Sequence, residues 1–412
     1  MLALTHARIV DGARGSPLKD ATVLLDGPWI RALGRGISIP SATEVIDLSG
    51  LTLIPGLIDV HVHFGGFVVD DPDWQFTYWS TLPFFLDAVR GFKKRRTLAL
   101  ENGVTTVRSA GDNHPQILRL RDRIDAGKLV GPRIVAAGPI FTAPGGHPAG
   151  TIYKNNRYVI EHATRQVDDP DVARAEVQRL VSDGVDQIKA VYGGVNPFDL
   201  DHPVPKLAPR VLHALVDEAH RQGLPAMVHA GTAEDAIEAV SAGADSLEHG
   251  ILPGAVCPEC PIELITRILD HGTFFVPTLA AAWAMKRLFP AALGHAKRWV
   301  GQMHKAGVPI ALGTDAGAPG VVIGRAAHKE LELLVESGLT PMEAIVAGTS
   351  NAAGVIRRAD QLGTIAPGKQ ADLVAIAGDP LRDIRMTRRV RLVIRGGTAL
   401  CKRAGLSDLP CR

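Results

Sequence analysis

The sequence predicts an α/β protein, a distorted (β/α)8 TIM barrel carrying a small composite β-sandwich built from both chain ends. Three observations predict it. Eight short apolar runs, at 57–63, 104–109, 133–138, 186–192, 225–230, 245–249, 273–278 and 309–314, alternate with helical stretches such as LAPRVLHALVDEAHRQG and GRAAHKELELLVESG. Both chain ends read instead as short strands parted by Gly and Pro turns. Six residues able to bind a metal, His61, His63, Lys189, His229, His249 and Asp315, fall at the ends of the first, fourth, fifth, sixth and eighth apolar runs. A doubly wound open sheet is the alternative, but only a closed barrel gathers those strand ends around one point.

Residues 1–54 supply MLALTHARIV, ATVLLD, WIRALG and TEVIDLSG, and residues 362–399 supply LGTIAPGKQADLVAIAG and VRLVIRGG. Neither set has enough strands to bury a core alone, so 1–54 and 362–412 are expected to form one β-domain. Residues 55–361 are then the barrel. The 412 residues suit one large domain with an appendage.

Within the barrel, residues 64–92 hold Phe64, Phe67, Trp74, Phe76, Tyr78, Trp79, Phe84, Phe85 and Phe92, nearly half of the chain's aromatics. A segment after the first barrel strand lies at the active face. It reads as a lid or apolar substrate wall, or equally as a subunit interface. The basic run Lys93-Lys94-Arg95-Arg96 reads as a solvated helix face.

With 45 basic against 43 acidic residues, the net charge of +2 offers nothing for nucleic acid or an anionic membrane. The N-terminus has neither a signal-peptide nor a membrane-span pattern. Four cysteines are too few for a disulfide framework, and the Cys257/Cys260 pair reads as a loop with two thiols. A reducing cytoplasm is the expected compartment.

The six residues carry the chemistry. His61 and His63 are two apart on a strand, so both rings share a face. Lys189, in QIKAV, sits between apolar neighbours. Desolvation lowers its pKa, and a neutral amine can add carbon dioxide to become a bridging carbamate. His229 and His249 each end a strand beside small residues. Asp315, in ALGTDAG, can bind metal and accept a proton from metal-bound water. Together they offer about three ligands per metal with an open position, the pattern of a catalytic centre.

These residues in this order, with PGLIDVHVH after a β-rich start, GTDAG near the end and the terminal LGTIAPGKQADLVAI, resemble the amidohydrolase superfamily over nearly the whole chain. The lysine on the fourth strand is similar to that of the binuclear branch with a carboxylated lysine. HAGTAEDAIEAVSAGADSLEHG and the GGH loop resemble its prolidase-like members, which include Xaa-Pro dipeptidases and ochratoxin-type amide hydrolases. Ser109 in VRSAGD and the run AVYGGV after Lys189 depart from that pattern.

The resemblance implies a hydrolase of C–N bonds in dipeptides or N-acyl amino acids, acting through a metal-bridging hydroxide. His61, His63 and Asp315 would hold one divalent ion, His229 and His249 the other, and carboxylated Lys189 would bridge them. Zinc is the default metal for such a histidine-rich centre. Asp315 would carry the proton, and His147, in FTAPGGHPAG, would stabilise the oxyanion or the substrate carbonyl. Tyr192 and Arg157 are candidates for a substrate carboxylate. Lactones, carbamates, phosphotriesters and cyclic amides are alternative substrates. A pseudoenzyme assembly subunit is the non-enzyme alternative, and retention of all six residues speaks against it. The expected partners are a small-molecule substrate and further copies of this chain.

Overall fold

Strand pairing in the computed structural model sorts the chain into two parts; the structure describes residues 1–65, 86–196, 199, 201–250, 257 and 259–402. The first part is an eight-stranded sheet drawn from both ends. It contains β1 (Leu2–Ile9), β2 (Leu18–Asp26), β3 (Trp29–Gly34), β4 (Glu44–Asp47) and β5 (Leu51–Pro55).

The second part has a three-stranded sheet, β6 (Leu57–Val62), β7 (Val104–Ser109) and β8 (Arg133–Ala136), and a six-stranded one. The latter comprises β9 (Ile140–Thr142), β10 (Thr164–Gln166), β11 (Ile188–Tyr192), β12 (Ala226–Ala230), β13 (Ser246–Glu248) and β14 (Phe274–Val276). The chain then returns to the first sheet through β15 (Leu373–Ala377), β16 (Val390–Arg395) and β17 (Thr398–Lys402).

In the terminal sheet β5 joins the two ends. It runs parallel to β1 and antiparallel to β15, with Pro55 opposite Leu373 and Leu51 opposite Ala377. Leu4, Val23, Leu53, Leu373 and Leu392 share one buried cluster on one face of this sheet, while Ile54, Val374, Ile376 and Val393, one position on, are buried in the larger cluster of the second part, so the joining strands are covered on both faces. Gly56 N–H donates to Asp372 O at 2.8 Å, tying this sheet to the start of β6.

The second part is TIM-barrel-like. Neighbouring strands are parallel, from Ile58 opposite Thr106 in β6 and β7 to Glu248 opposite Val276 in β13 and β14. Helices fall where the sequence punctuates them. Asp169 caps helix 170–183 by accepting from Asp171 and Val172 N–H, and Gly184 ends it at φ 90°. Helix 209–221 starts on Pro209 and buries Val211, Leu215 and Ala219 along one stripe.

Two departures bear on the site. The third expected strand, 133–138, ends as β8 at Ala136, and past Gly138 at φ 69° an additional short strand, β9, enters the other sheet. The eighth, 309–314, forms no regular strand. Ile310 bridges Phe275 in β14 on one side, while Val60 N–H donates to Leu312 O and Asp315 N–H to His61 O on the other.

The basic run is a correction. Lys93 and Lys94 are exposed, but Arg95 and Arg96 are buried. Arg95 pairs with Asp87, and Arg96 donates to the carbonyls of Gly91 and Val130. These partners offset the cost of removing two guanidinium groups from water. Most of the aromatic segment, 66–85, lies outside the described residues; Phe64 and Phe92 are buried against each other, ring centroids 6.0 Å apart. Among the described residues, no helix is long and apolar enough to cross a membrane.

Candidate metal centre

His61 and His63 leave β6 and its extension on the face that also carries Asp59, as the period of two requires. Asp59 is buried and fastens the 309–315 segment to β6. It accepts from Thr314 N–H at 3.1 Å and from Thr314 Oγ1–H at 2.7 Å. Asp315 follows in the left-handed region, φ 59°, its N–H held 2.8 Å from His61 O. This turn brings Asp315 Oδ1 to 3.2 Å from His63 Nε2 and 3.7 Å from His61 Nε2. The ligand atoms of the three residues lie within 4.8 Å of one another.

The ring tautomers follow from their partners. His61 Nδ1 faces Glu248 Oε2 at 2.5 Å, and His63 Nδ1 faces Gly111 O at 2.9 Å. A carboxylate and a carbonyl only accept, so both Nδ1 atoms carry the hydrogen. In the neutral rings both Nε2 lone pairs then point towards Asp315; a proton on His63 Nε2 instead hydrogen-bonds Asp315, and although burial lowers the His63 pKa this partner raises it overall. Burial pushes the Asp315 carboxyl up, but the His63 hydrogen bond and the His61, His63 and His249 rings outweigh it and hold it well below the usual carboxylate range. Burial and Lys189 hold His61 neutral. Two bare imidazole nitrogens and one carboxylate converging on a point are the donor set of a divalent transition-metal ion.

The remaining imidazoles extend this cluster. Ring centroids are 4.8 Å apart for His61 and His249, 4.5 Å for His249 and His229, and 5.6 Å for His229 and His147. Burial drives His249 and His147 down to about 4 and His229 well below its ordinary value, so all three are neutral donors. His249 Nδ1 contacts Thr278 Oγ1 at 2.6 Å, and His147 Nδ1 contacts Thr151 Oγ1 at 2.7 Å. Lys189 is 2% exposed, and its Nζ has no hydrogen-bond partner among the described residues. Burial lowers its pKa to about 8. An orphaned, partly neutral amine beside neutral imidazoles fits a divalent-metal site better than a structural ion pair does.

Sequence reading missed the groups behind these side chains. Arg108 (1% exposed) spans the interior from β7 to β13. It donates to Glu248 Oε1 at 2.7 Å and to Ser246 Oγ at 2.9 Å, and Ser246 Oγ–H donates to the same Oε1 at 2.6 Å. Strand alternation would turn Glu248 and His249 to opposite faces. His249 adopts φ 64° instead, and that left-handed kink lets both reach the centre. The kink has no marker in SLEHG beyond the following Gly250, also at positive φ.

Ser109, a departure from the expected pattern, donates to Asp112 Oδ2 at 2.5 Å. Asp112 in turn accepts from Phe64 N–H at 2.9 Å and Gly65 N–H at 2.6 Å, fixing the chain just past His63. Tyr153 was also missed. Burial, with the nearby Asp112 and Asp315 carboxylates, raises its phenol.

The two expected substrate contacts, Tyr192 and Arg157, stand outside the imidazole cluster. Tyr192 leaves β11 on the face opposite Lys189 and packs with Ile188 and Ala190, its ring 4.9 Å from Lys206 Nζ. It lies three positions from Lys189, an odd offset that places it on the other side of the pleat. Arg157 begins helix 157–163, with its side chain 92% exposed and bonded to Glu161 at 2.7 Å. It is a surface i,i+4 pair.

The amidohydrolase family model matches residues 52–400. An ochratoxinase from Aspergillus niger is 30% identical, across 95% of this chain and 84% of its own. A crystal structure of a Xaa-Pro dipeptidase with bound methionine in the active site superposes with a TM-score of 0.81 at 30% identity, covering 97% of this chain and 99% of that one. Phenylurea hydrolase B superposes with a TM-score of 0.82 at 28% identity, covering 99% and 98%.

Proposed function

The chain belongs to the amidohydrolase family, and on that premise we propose that it hydrolyses C–N bonds of small amides, dipeptides or N-acyl amino acids, at a binuclear metal centre. One observation carries this reading. His61, His63 and Asp315 converge on one point, while His249 and His229 adjoin it with the unpartnered Lys189 buried in the same interior. In this reading the barrel closes through the contacts of 309–315 with both β6 and β14, and the division into 55–361 and the two terminal segments is a domain boundary.

His61, His63 and Asp315 would hold one ion, with His229 and His249 holding the second and Lys189 reaching both as a carbamate. Zinc is the metal that histidine-rich hydrolase sites favour. When bound, the ions supply a water acidified towards neutrality and a polarised substrate carbonyl. Asp315 takes the proton from the attacking water and passes it to the departing nitrogen, a role suited to a carboxylate held ionised by neighbouring imidazoles. His147, neutral and hydrogen-bonded through Nδ1, presents Nε2 to the substrate side. With the Thr151 hydroxyl donating to Nδ1, that Nε2 would carry the ring hydrogen and donate it to the oxygen that develops charge. The free thiols of Cys257 and Cys260 agree with a reducing compartment.

The likeness to phenylurea hydrolase B supports a second reading, a urea or carbamate C–N bond at the same centre. One experiment separates the readings. Protein reconstituted with zinc and bicarbonate is offered N-acyl amino acids, dipeptides, phenylureas and carbamates, and free amine is measured. Release of C-terminal amino acids supports the peptide-type reading. Turnover of ureas or carbamates alone moves the substrate class, and no turnover of any C–N bond with two metals bound overturns the proposal.

A further inference from the structure

The Nδ1 partners of the clustered imidazoles differ in kind, and the difference divides the centre in two. His61 faces the Glu248 carboxylate and His63 the Gly111 carbonyl. His249 faces only the Thr278 hydroxyl. His229 has no ring hydrogen bond among the described residues, its ring contacts being His147 and His249. An anionic acceptor strengthens the donating power of the opposite ring nitrogen most, a neutral hydroxyl less.

Glu248 is itself rigidly held. It is wholly buried. Oε1 receives hydrogen bonds from Arg108 and Ser246, which leaves Oε2 for His61. Arg108 is anchored in turn on Val60 O, one residue before His61. The carboxylate therefore cannot rotate away, and its charge is compensated without being shared with Asp315.

We infer that Glu248, fixed by Arg108 and Ser246, is a positioning residue that locks His61 with Nδ1 protonated and makes the His61–His63–Asp315 set the tighter of two unequal metal sites. The inference rests on the binuclear reading above. Its consequence is ordered loading: the first equivalent of metal enters the Asp315 set, the second the His229–His249 set.

The test is metal affinity, read independently of turnover. Metal-free full-length protein is titrated with zinc against a chromophoric chelator, with circular dichroism to establish folding. The wild type is expected to bind two equivalents in two resolved steps. Glu248→Gln keeps the shape but removes the charge, and is expected to weaken the first step by about 10- to 100-fold while leaving the second in place. Thr278→Val is the converse variant and is expected to weaken the second step alone. A folded Glu248→Gln protein whose first step is unchanged overturns the inference and leaves the binuclear reading standing, as does a Thr278→Val protein that loses the first step. A wild type that binds no second equivalent overturns the binuclear reading itself. Should Glu248→Gln fail to fold, Ser246→Ala, which removes one of the two anchors of Oε1, is expected to weaken the same first step.

Discussion

His63 Nε2 and Asp315 Oδ1 stand 3.2 Å apart, and in the neutral ring, whose hydrogen is committed to Gly111 O, the two atoms face each other as lone pairs. Such a pair repels unless a cation, a proton or a metal ion, lies between them. Asp315→Asn preserves the shape but removes the charge and the proton acceptor. It is expected to lower kcat/KM by about 10²–10⁴-fold and to reduce bound metal, measured by steady-state amine release and elemental analysis. A variant within tenfold of wild type would remove Asp315 from the mechanism.

His147 stands at the edge of the imidazole cluster, beside His229 and beyond the Asp315 set. It is read as acting on substrate rather than on metal. His147→Ala is therefore expected to keep two metals per chain while kcat falls by about 10²–10³-fold, the usual cost of one transition-state donor. His249→Ala is expected to lose a metal. If His147→Ala lost metal instead, the histidine would be a ligand.

The clustered side chains were legible in the sequence because each ends an apolar run and the side-chain period of a strand is fixed; the shared face of His61 and His63 needed nothing more. Asp315 was legible as a residue type but not as a conformation, since its approach depends on a left-handed backbone and on the Thr314–Asp59 bonds. Glu248 was hidden for a related reason. Alternation turns it away from His249, and only the kink at His249 returns both to one side. Tyr192 stands apart from Lys189 through parity alone: three positions along a strand is the opposite face. Arg157 lies at the surface, where loop position in the sequence carries no information about the distance to a site formed by other strands. The 309–314 run lies beside β6 and β14 but forms no regular strand, and its irregular backbone left no sequence mark.

Arg108 and Glu248 form a fully buried pair, 2.7 Å apart, inside the barrel-like half. Removing one partner strands a charge. Arg108→Met is expected to cost about 3–5 kcal/mol in urea unfolding, whereas Arg108→Met combined with Glu248→Leu recovers much of that loss. Additive losses in the double variant would mean that the two groups do not depend on each other.

Glu330 gives a pH dependence with a definite sign. Its buried carboxyl accepts from Leu279 and Ala280 N–H at 2.9 and 2.6 Å, and burial raises its pKa to about 8 from an ordinary 4.5. Between those values the folded protein holds a proton that the unfolded chain releases, so this group's contribution to stability falls as pH rises through the window. Glu330→Gln lacks that loss. The Tm of the variant minus that of wild type is expected to increase from about pH 5 to about pH 8.5. A flat difference would show that Glu330 is ionised throughout.

Gly317, in GTDAG, tests whether the turn after Asp315 is required for its shape. It adopts φ 113°, and a Cβ there would lie 2.3 Å from His63 O and 3.0 Å from His63 Cβ. Neither a rotamer change nor a water shift relieves a clash with backbone oxygen, so Gly317→Ala must move the His63 strand end or the turn. Gly223 is the comparison: φ is 76°, but nothing lies within 4 Å of its would-be Cβ. Gly223→Ala is expected to cost only the left-handed backbone penalty, about 1–2 kcal/mol, with metal content unchanged. Gly317→Ala carries the clash as well, and is expected to lower stability further and to release metal as His63 is displaced from Asp315. Equal metal retention in the two variants would show that the His63–Asp315 approach tolerates a shift of the turn, and that the glycine serves the backbone angle alone.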